Sequence, residues 1–273
     1  MRPLYILKLG GSVVTCKDEP GILVRHALLR KIALAIKKVQ AKENFDLIIV
    51  HGAGSVGHRL AKKYNLTKGT NETKDKIKKA LITCNAIQEL DNTLCKIFIT
   101  NGLMAFPIHT ASAIIQKERK IIYCNLKMIR EALSKNCLPI LYGDMVFDNK
   151  LGMSVCSGDA VAPYLAEKLK AEKIFFASDI DGIFTKDPHL HEDAKLLEII
   201  ALNDIKKNAT LSGSHNVDVT SGLLGKIKKL DILRNKMLKS VEIFNGLRAE
   251  NYTKIFSEED FAHTKIFMKK RGH

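Results

Sequence analysis

The chain reads as an α/β protein, a three-layer αβα sandwich on a mostly parallel central sheet. Two observations predict this class. Short apolar runs rich in β-branched residues alternate with longer amphipathic segments, and three of the short runs end in glycine-rich polar turns. Alternation of this kind places a crossover helix between successive parallel strands, so helices cover both faces of the sheet.

The elements follow in order. The runs at 5–9, 46–50, 104–108, 139–142, 173–177 and 241–244 are dominated by Val, Ile, Leu, Phe and Tyr, the composition of strands. Segments 28–40, 75–97, 126–135, 159–170 and 221–235 carry apolar residues at helical spacing, and a further helix starts near Ser55. One segment breaks the alternation: 145–147 and 153–156 flank DNKLG at 148–152, a hairpin inserted before a helix. No repeat, low-complexity tract or Pro/Ser-rich linker interrupts the chain. Two lobes sharing one continuous sheet are expected, 1–170 and 171–273.

Composition narrows the class. With 273 residues, 46% of them hydrophobic, the chain can bury a sizeable core. Met1 and Arg2 lead into an apolar run too brief for a signal peptide, and no apolar stretch approaches the roughly 18 residues of a membrane helix. A cytoplasmic protein without a membrane partner is expected. The six cysteines (Cys16, Cys84, Cys95, Cys124, Cys137, Cys156) form no C-x-x-C pair, which favours free thiols over a zinc site or redox motif. The net charge of +15 suits an anionic small substrate. The lysines are dispersed and no basic run is interleaved with aromatics, so nucleic acid is not an expected partner.

The glycine turns carry the chemistry. Turns at the carboxyl ends of parallel strands form ligand crevices, and glycine lets backbone approach a phosphate. The first is Lys8-Leu9-Gly10-Gly11-Ser12, where Lys8 is either a snorkelling strand-end lysine or one aimed at phosphates beside backbone amides. The second, His51-Gly52-Ala53-Gly54-Ser55-Val56-Gly57-His58, contains a literal G-x-G-x-x-G. A dinucleotide site is disfavoured, because the pattern follows the second strand and Glu72 and Asp75 do not lie at a strand end. His58, in the first turn of the helix that follows, stands where an anion would sit. The third turn is Ser178-Asp179-Ile180-Asp181-Gly182. Ser157-Gly158-Asp159 opens a helix, with Ser157 or Asp159 available as a cap. TSGLLGK at 220–226 starts another and places Lys226 in its first turns. Neither a Walker A sequence nor the protein-kinase catalytic set occurs.

Taken in order, KLGGS at 8–12, HGAGSVGH at 51–58, SGDA at 157–160, SDIDGIF at 178–184 and DVTSGLLGKI at 218–227 resemble the amino acid kinase superfamily. Within it the chain is most similar to the isopentenyl phosphate kinases, in His58, in RLAKKY at 59–64 and in LSGS at 211–214. The resemblance implies an amino acid kinase-like fold, a homodimer, and transfer of a phosphoryl group from ATP with Mg²⁺ to isopentenyl phosphate, making isopentenyl diphosphate for isoprenoid biosynthesis. Another acceptor, a fosfomycin-type phosphonate or an amino-acid carboxylate, is the alternative, and a non-catalytic nucleotide-binding module is a more distant one. The resemblance further implies catalytic roles for Lys8, Lys17, His58, Asp159 and Lys226. Nucleotide contacts would come from Lys8, Gly10, Gly11, Ser12, Asp179, Gly182, Gly222 and Lys226. Gly52, Ala53, Gly54, His58 and Gly158 would hold the acceptor, and no protein metal site is expected. The chain departs from the family pattern at Ala53, Val56, Ala160 and Ser221, and Ala53 bears most directly on the acceptor.

Chemistry supports these residue types. Two anions must meet, and unit charges about 4 Å apart repel by about 4 kcal/mol at an effective dielectric near 20. Lysines, a metal ion and helix N-termini offset that repulsion. A phosphate monoester is largely dianionic at pH 7, so the nucleophile needs no general base and His58 acts as a hydrogen-bonding group. Ile77, Leu81, Cys84, Ile87 and Leu94, on the segment 75–97, are candidates for the acceptor's apolar contact, with most of them expected in the core.

Overall fold

The alternating strands and helices assemble around one sheet. The structure, a computed structural model, describes residues 2–16, 23–71, 73–186, 188, 190–203 and 227–267. Strands β1 (Leu4–Leu9), β2 (Asp46–His51), β3 (Ala105–Pro107), β6 (Leu138–Tyr142), β9 (Lys173–Ser178), β10 (Ile199–Ala201), β11 (Ser240–Asn245) and β12 (His263–Phe267) form an eight-stranded sheet in the order β10-β12-β11-β9-β1-β2-β6-β3. The β11–β12 pair is antiparallel and the other pairs are parallel. The chain moves outward from β1 to β2 in one direction and returns through β9 on the other side. The carboxyl ends of β1 and β9 thus mark the reversal point at which α/β sheets form ligand crevices.

Two apolar layers cover this sheet. On one face Leu7, Leu9, Ile49 and Phe175 pack with Leu29, Ile32 and Ile36 of α2 (His26–Gln40), Leu90, Leu94 and Phe98 of α4 (Lys74–Thr100), and Tyr252 and Ile255 of α8 (Glu250–Phe256). On the other, Ile6, Ile48, Val50, Ile174 and Val241 pack with Ile129 of α6 (Leu126–Ser134) and Val161, Ala162 and Leu165 of α7 (Gly158–Leu169). The three layers match the fold class read from the sequence. No helix among the described residues is long and apolar enough to cross a membrane. All six cysteines are free.

Differences from the sequence reading have local causes. The strand expected over 104–108 shrinks to β3, a short edge strand in which Pro107 offers no amide to a further neighbour. The helix expected over 221–235 stops early: Leu230–Ile232 is a 3₁₀ turn, and the buried Asn235 side chain instead donates to the carbonyls of Ala166 (3.3 Å) and Ala171 (2.8 Å). Its first residues, 221–226, lie outside the described ones, as do Lys17, LSGS at 211–214, Gly222 and Lys226.

A second sheet, β5-β4-β7-β8, stands over the carboxyl edge of the first. The expected hairpin is present as β7 (Asp144–Asp148) and β8 (Gly152–Cys156), and β4 (Ile114–Lys117) and β5 (Lys120–Cys124) form a second hairpin beside it. Asp148 fastens the two. Its buried carboxylate accepts from the amides of Glu118 (3.0 Å), Arg119 (2.8 Å), Lys150 (3.0 Å) and Leu151 (3.1 Å) and from the Ser154 hydroxyl (2.8 Å). Burial pushes this carboxyl up, but the hydrogen bonds from Arg119, Lys150, Ser154 and Glu118 prevail and hold it at about 2. A depressed value gives stability that is present above the unfolded value of 3.8 and lost as pH falls through about 2. Asp148→Asn should therefore lower unfolding stability by about 2–4 kcal/mol at neutral pH. In urea titrations the gap to the wild type should narrow between pH 4 and about 2; a gap independent of pH would refute the anchoring role.

Candidate active site

Strand alternation decides which way each functional side chain points. In β1, Leu7 and Leu9 face the α2/α4/α8 layer, so Ile6 and Lys8 face α7. Lys8 is 5% exposed, too buried for an unpaired charge. Its Nζ lies 2.7 Å from Asp159 Oδ1, in the first turn of α7. The helix begins there because Ser157 caps it, its hydroxyl accepting from the Asp159 amide at 3.2 Å. Of the two capping candidates, Ser157 takes the cap and Asp159 is left for the lysine.

The glycine turns converge on this pair. Parallel pairing sets Leu9 beside His51 and His51 beside Tyr142. The Gly52 amide donates to the Leu9 carbonyl and the Gly143 amide to the His51 carbonyl, both at 2.9 Å. The turns after β1, β2 and β6 consequently lie side by side. They are in backbone contact: a Cβ on Gly52 would come within 2.8 Å of the Gly11 amide nitrogen. Gly54, at φ +62°, then starts α3 (Gly54–Lys63). The Ala53 methyl occupies space over α3 that a side chain at Gly57 would need, since a Cβ there would fall 2.4 Å from it. The departure at Ala53 is thus accommodated on the helix side of the turn.

Together these elements enclose a cavity of about 610 Å³. Lys8, Gly11, Gly52, Ala53, His58, Gly158 and Asp159, all named from the sequence, line it. Gly10 is tied behind it to the Ala177 carbonyl (2.9 Å), and the Ser12 carbonyl accepts from Arg25 Nε (2.9 Å). Asp179 and Gly182 follow β9, outside the cavity lining, and Gly182 is packed tightly against Thr264.

Several lining residues were not read as site residues. Lys62 adds a second cation from α3, and Arg119 reaches in from the β4–β5 turn, donating to the Thr67 carbonyl. Ala61, Met145 and Val155 supply apolar surface beside Ile87. Of the five apolar candidates on α4, only Ile87 lines the cavity. Leu94 is core, Leu81 is exposed, Ile77 packs in a separate cluster, and the Cys84 thiol donates to the Met145 carbonyl (3.2 Å). The second sheet carries no family-like motif, so only its position over the site reveals its residues.

Asp144, at the start of β7, is a buried carboxyl in the cavity wall. Burial pushes it up to about 7, against the lowering effect of the Met145 amide, which donates to it at 2.8 Å. Held up near 7, it adds less negative charge below that pH to a cavity that Asp159, Lys8, His58, Lys62 and Arg119 also line.

Comparison with known proteins places the chain. A model described as the amino acid kinase family matches residues 3–245. The chain is an amino acid kinase family member. Within the family it groups with proteins named isopentenyl phosphate kinase. The one from Methanothermobacter thermautotrophicus is 32% identical, with 96% of this chain and 98% of that protein covered. The one from Methanocaldococcus jannaschii is 34% identical, over 92% of this chain and 94% of that protein. A solved structure described as isopentenyl phosphate kinase superposes with a TM-score of 0.79 at 28% identity, covering 96% of this chain and 98% of the other. The cavity of this amino acid kinase therefore sits on a scaffold with relatives along nearly its whole length.

The raised Asp144 carboxyl makes a sign-specific prediction. A group held protonated by the fold stabilises it below the unfolded value of 3.8 and loses that contribution as pH rises through about 7. Asp144→Asn should be more stable than the wild type at pH 8 and lose its advantage towards pH 4. Thermal unfolding across that range tests this, and a wild type that stays the more stable protein at pH 8 would refute it.

Proposed function

We propose that this chain transfers the γ-phosphoryl group of ATP to isopentenyl phosphate, giving isopentenyl diphosphate. The observation that carries the reading is the cavity itself. A buried lysine paired with Asp159, a glycine turn and His58 stand in one space with the apolar side chains Ala61, Ile87, Met145 and Val155. An acceptor with an anionic head and a short hydrocarbon tail fits both halves. The relatives named isopentenyl phosphate kinase support the same acceptor.

In the proposed reaction an acceptor phosphate oxygen attacks the γ-phosphorus. A P–O bond forms to the acceptor, and the bond from the γ-phosphorus to the β–γ bridging oxygen breaks, leaving ADP. Little covalent help is required; alignment and charge carry the rate. Lys8 would contact the transferring group, with Asp159 holding its ammonium in place. His58 and the turn Gly52–Ala53–Gly54 would hold the acceptor phosphate, and Gly158 would lie beside it. Gly10, Gly11, Ser12, Asp179, Gly182, Gly222 and Lys226 are proposed for the nucleotide, and Lys17 for the transition state. Among the described residues no three His, Cys, Asp or Glu side chains gather as a metal site. Mg²⁺ is proposed to arrive as part of the nucleotide substrate, bound through phosphate oxygens and water. A cytoplasmic homodimer, and lobes of 1–170 for the acceptor and 171–273 for the nucleotide, belong to the same proposal.

Two experiments test it. ADP release should be strongest with isopentenyl phosphate in a panel that also holds dimethylallyl phosphate, fosfomycin, glutamate, acetylglutamate and UMP; faster turnover of any of the last four would replace the acceptor. His58→Asn should keep much more activity than His58→Ala, since an amide can still donate a hydrogen bond. Equal losses would remove the hydrogen-bonding role, and full activity in both would remove His58 from the site.

A further inference from the structure

Beneath the acceptor turn lies a buried polar pair that the reaction itself does not use. His51 ends β2 on the face away from α7, among the α4 side chains. It is 0% exposed, and so is Asp91 of α4. The ring Nε2 is 3.2 Å from Asp91 Oδ1, and Nδ1 is 2.8 Å from the Gly52 carbonyl oxygen. Tyr142 of β6 stacks on the ring at 5.2 Å. Replacing a buried pair of this kind with apolar residues of similar volume is often neutral or stabilising, so its presence is weak evidence of a stabilising role.

Its geometry has a directional effect. A carbonyl oxygen can only accept, so Nδ1 carries a proton wherever the proton between Nε2 and Asp91 resides. The Gly52–Ala53 peptide is planar, and the described chain has no cis bonds. With its C=O drawn towards the buried ring, its N–H, which is that of Ala53, must face the other way. That side is the cavity: Ala53 lines it, and a Cβ on Gly143, also in the lining, would sit 3.5 Å from the Ala53 nitrogen. Among the described residues no protein acceptor takes the Ala53 N–H.

We propose that His51, oriented by Asp91, is a positioning residue that turns the Ala53 N–H towards the acceptor phosphate. The proposal rests on reading this cavity as the acceptor site. The Asp91 carboxylate fixes the ring, the ring fixes the Gly52 carbonyl, and the peptide plane delivers the donor.

Two near-isosteric replacements separate the links. An Asn amide nitrogen sits near the position of Nδ1 and can still donate to Gly52, whereas a Gln amide nitrogen sits near Nε2 and can meet only Asp91. His51→Asn should keep the KM for isopentenyl phosphate within about threefold of wild type, and His51→Gln should raise it about tenfold or more, with the KM for ATP unchanged in both. In ¹⁵N–¹H spectra recorded while isopentenyl phosphate is added, the Ala53 amide should shift in the wild type and His51→Asn but not in His51→Gln. Equal acceptor KM values in the two variants, a parallel rise in the KM for ATP, or an Ala53 shift in His51→Gln like that of the wild type would overturn the proposal. Should His51→Gln fail to fold, Asp91→Asn, which can donate to Nε2 and leave the proton on Nδ1, is expected to retain the Ala53 shift; its loss would count against the proposal. A wild type whose Ala53 amide responds to isopentenyl phosphate without turnover defeats the proposed reaction alone. One that turns isopentenyl phosphate over but whose Ala53 amide stays still on saturation defeats the positioning role alone.

Discussion

The register between β1 and β2 sets Leu9 beside His51, and the rest of the site depends on that alignment. Side chains alternate across a strand, so a slip of one residue would exchange the two faces. Lys8 would turn from α7 into the apolar layer of α2 and α4, far from Asp159. His51 would leave Asp91 and enter the layer containing Val161 and Ala162. The apolar side chains flanking these polar ones enforce the alignment, because Leu7, Leu9 and Ile49 bury on one face and Ile6, Ile48 and Val50 on the other. The same alignment brings Gly52 against Gly11, a contact closed to any residue with a Cβ.

Electrostatics then builds on a fixed frame. A lysine with 5% exposure is expensive without a counterion, and Asp159 provides one without covering the cavity side. Because the ammonium is shielded from bulk water, its field acts on a nearby anion through a lower dielectric than a surface lysine would have. Asp144, in the same wall, follows the opposite course. Lacking a cationic partner at ion-pair distance among the described residues, it responds to burial by holding its proton. Two buried ionisable groups within one cavity thus meet the same desolvation by different means, pairing in one case and neutralisation in the other.

Much of this was legible in the sequence. Strands with continuous apolar runs, such as LIIV at 47–50, read as central, and the glycine turns after them, together with the helix start at 157–159, named seven residues that the fold brings around one cavity. The second sheet was only half legible. The run at 114–117 reads IIQK and that at 120–124 reads KIIYC, with polar residues at both ends of a tight ER turn. Glu118 and Arg119 both adopt positive φ there, which non-glycine residues rarely do and propensity does not signal. The Asp148 carboxylate, distant in sequence, binds the backbone amides of both. Arg119 was missed for the same reason, since its place in the cavity follows from a turn held by a tertiary contact. The pairing of His51 with Asp91 likewise links β2 to α4, and an aspartate among apolar helix positions gives no hint in one dimension of which strand it faces.

The five hydrogen bonds at Asp148 have a consequence for motion. They join the β4–β5 turn to the β7–β8 turn, so neither hairpin can peel away without releasing the other. Native proteins open in cooperative units drawn from such linked segments. Here the unit includes Met145 and Val155, and it carries Arg119 at its tip. One side of the cavity is therefore built from a single linked unit. Its amides would exchange with solvent hydrogen together, and the widening of the tail end and the withdrawal of the guanidinium would be one event.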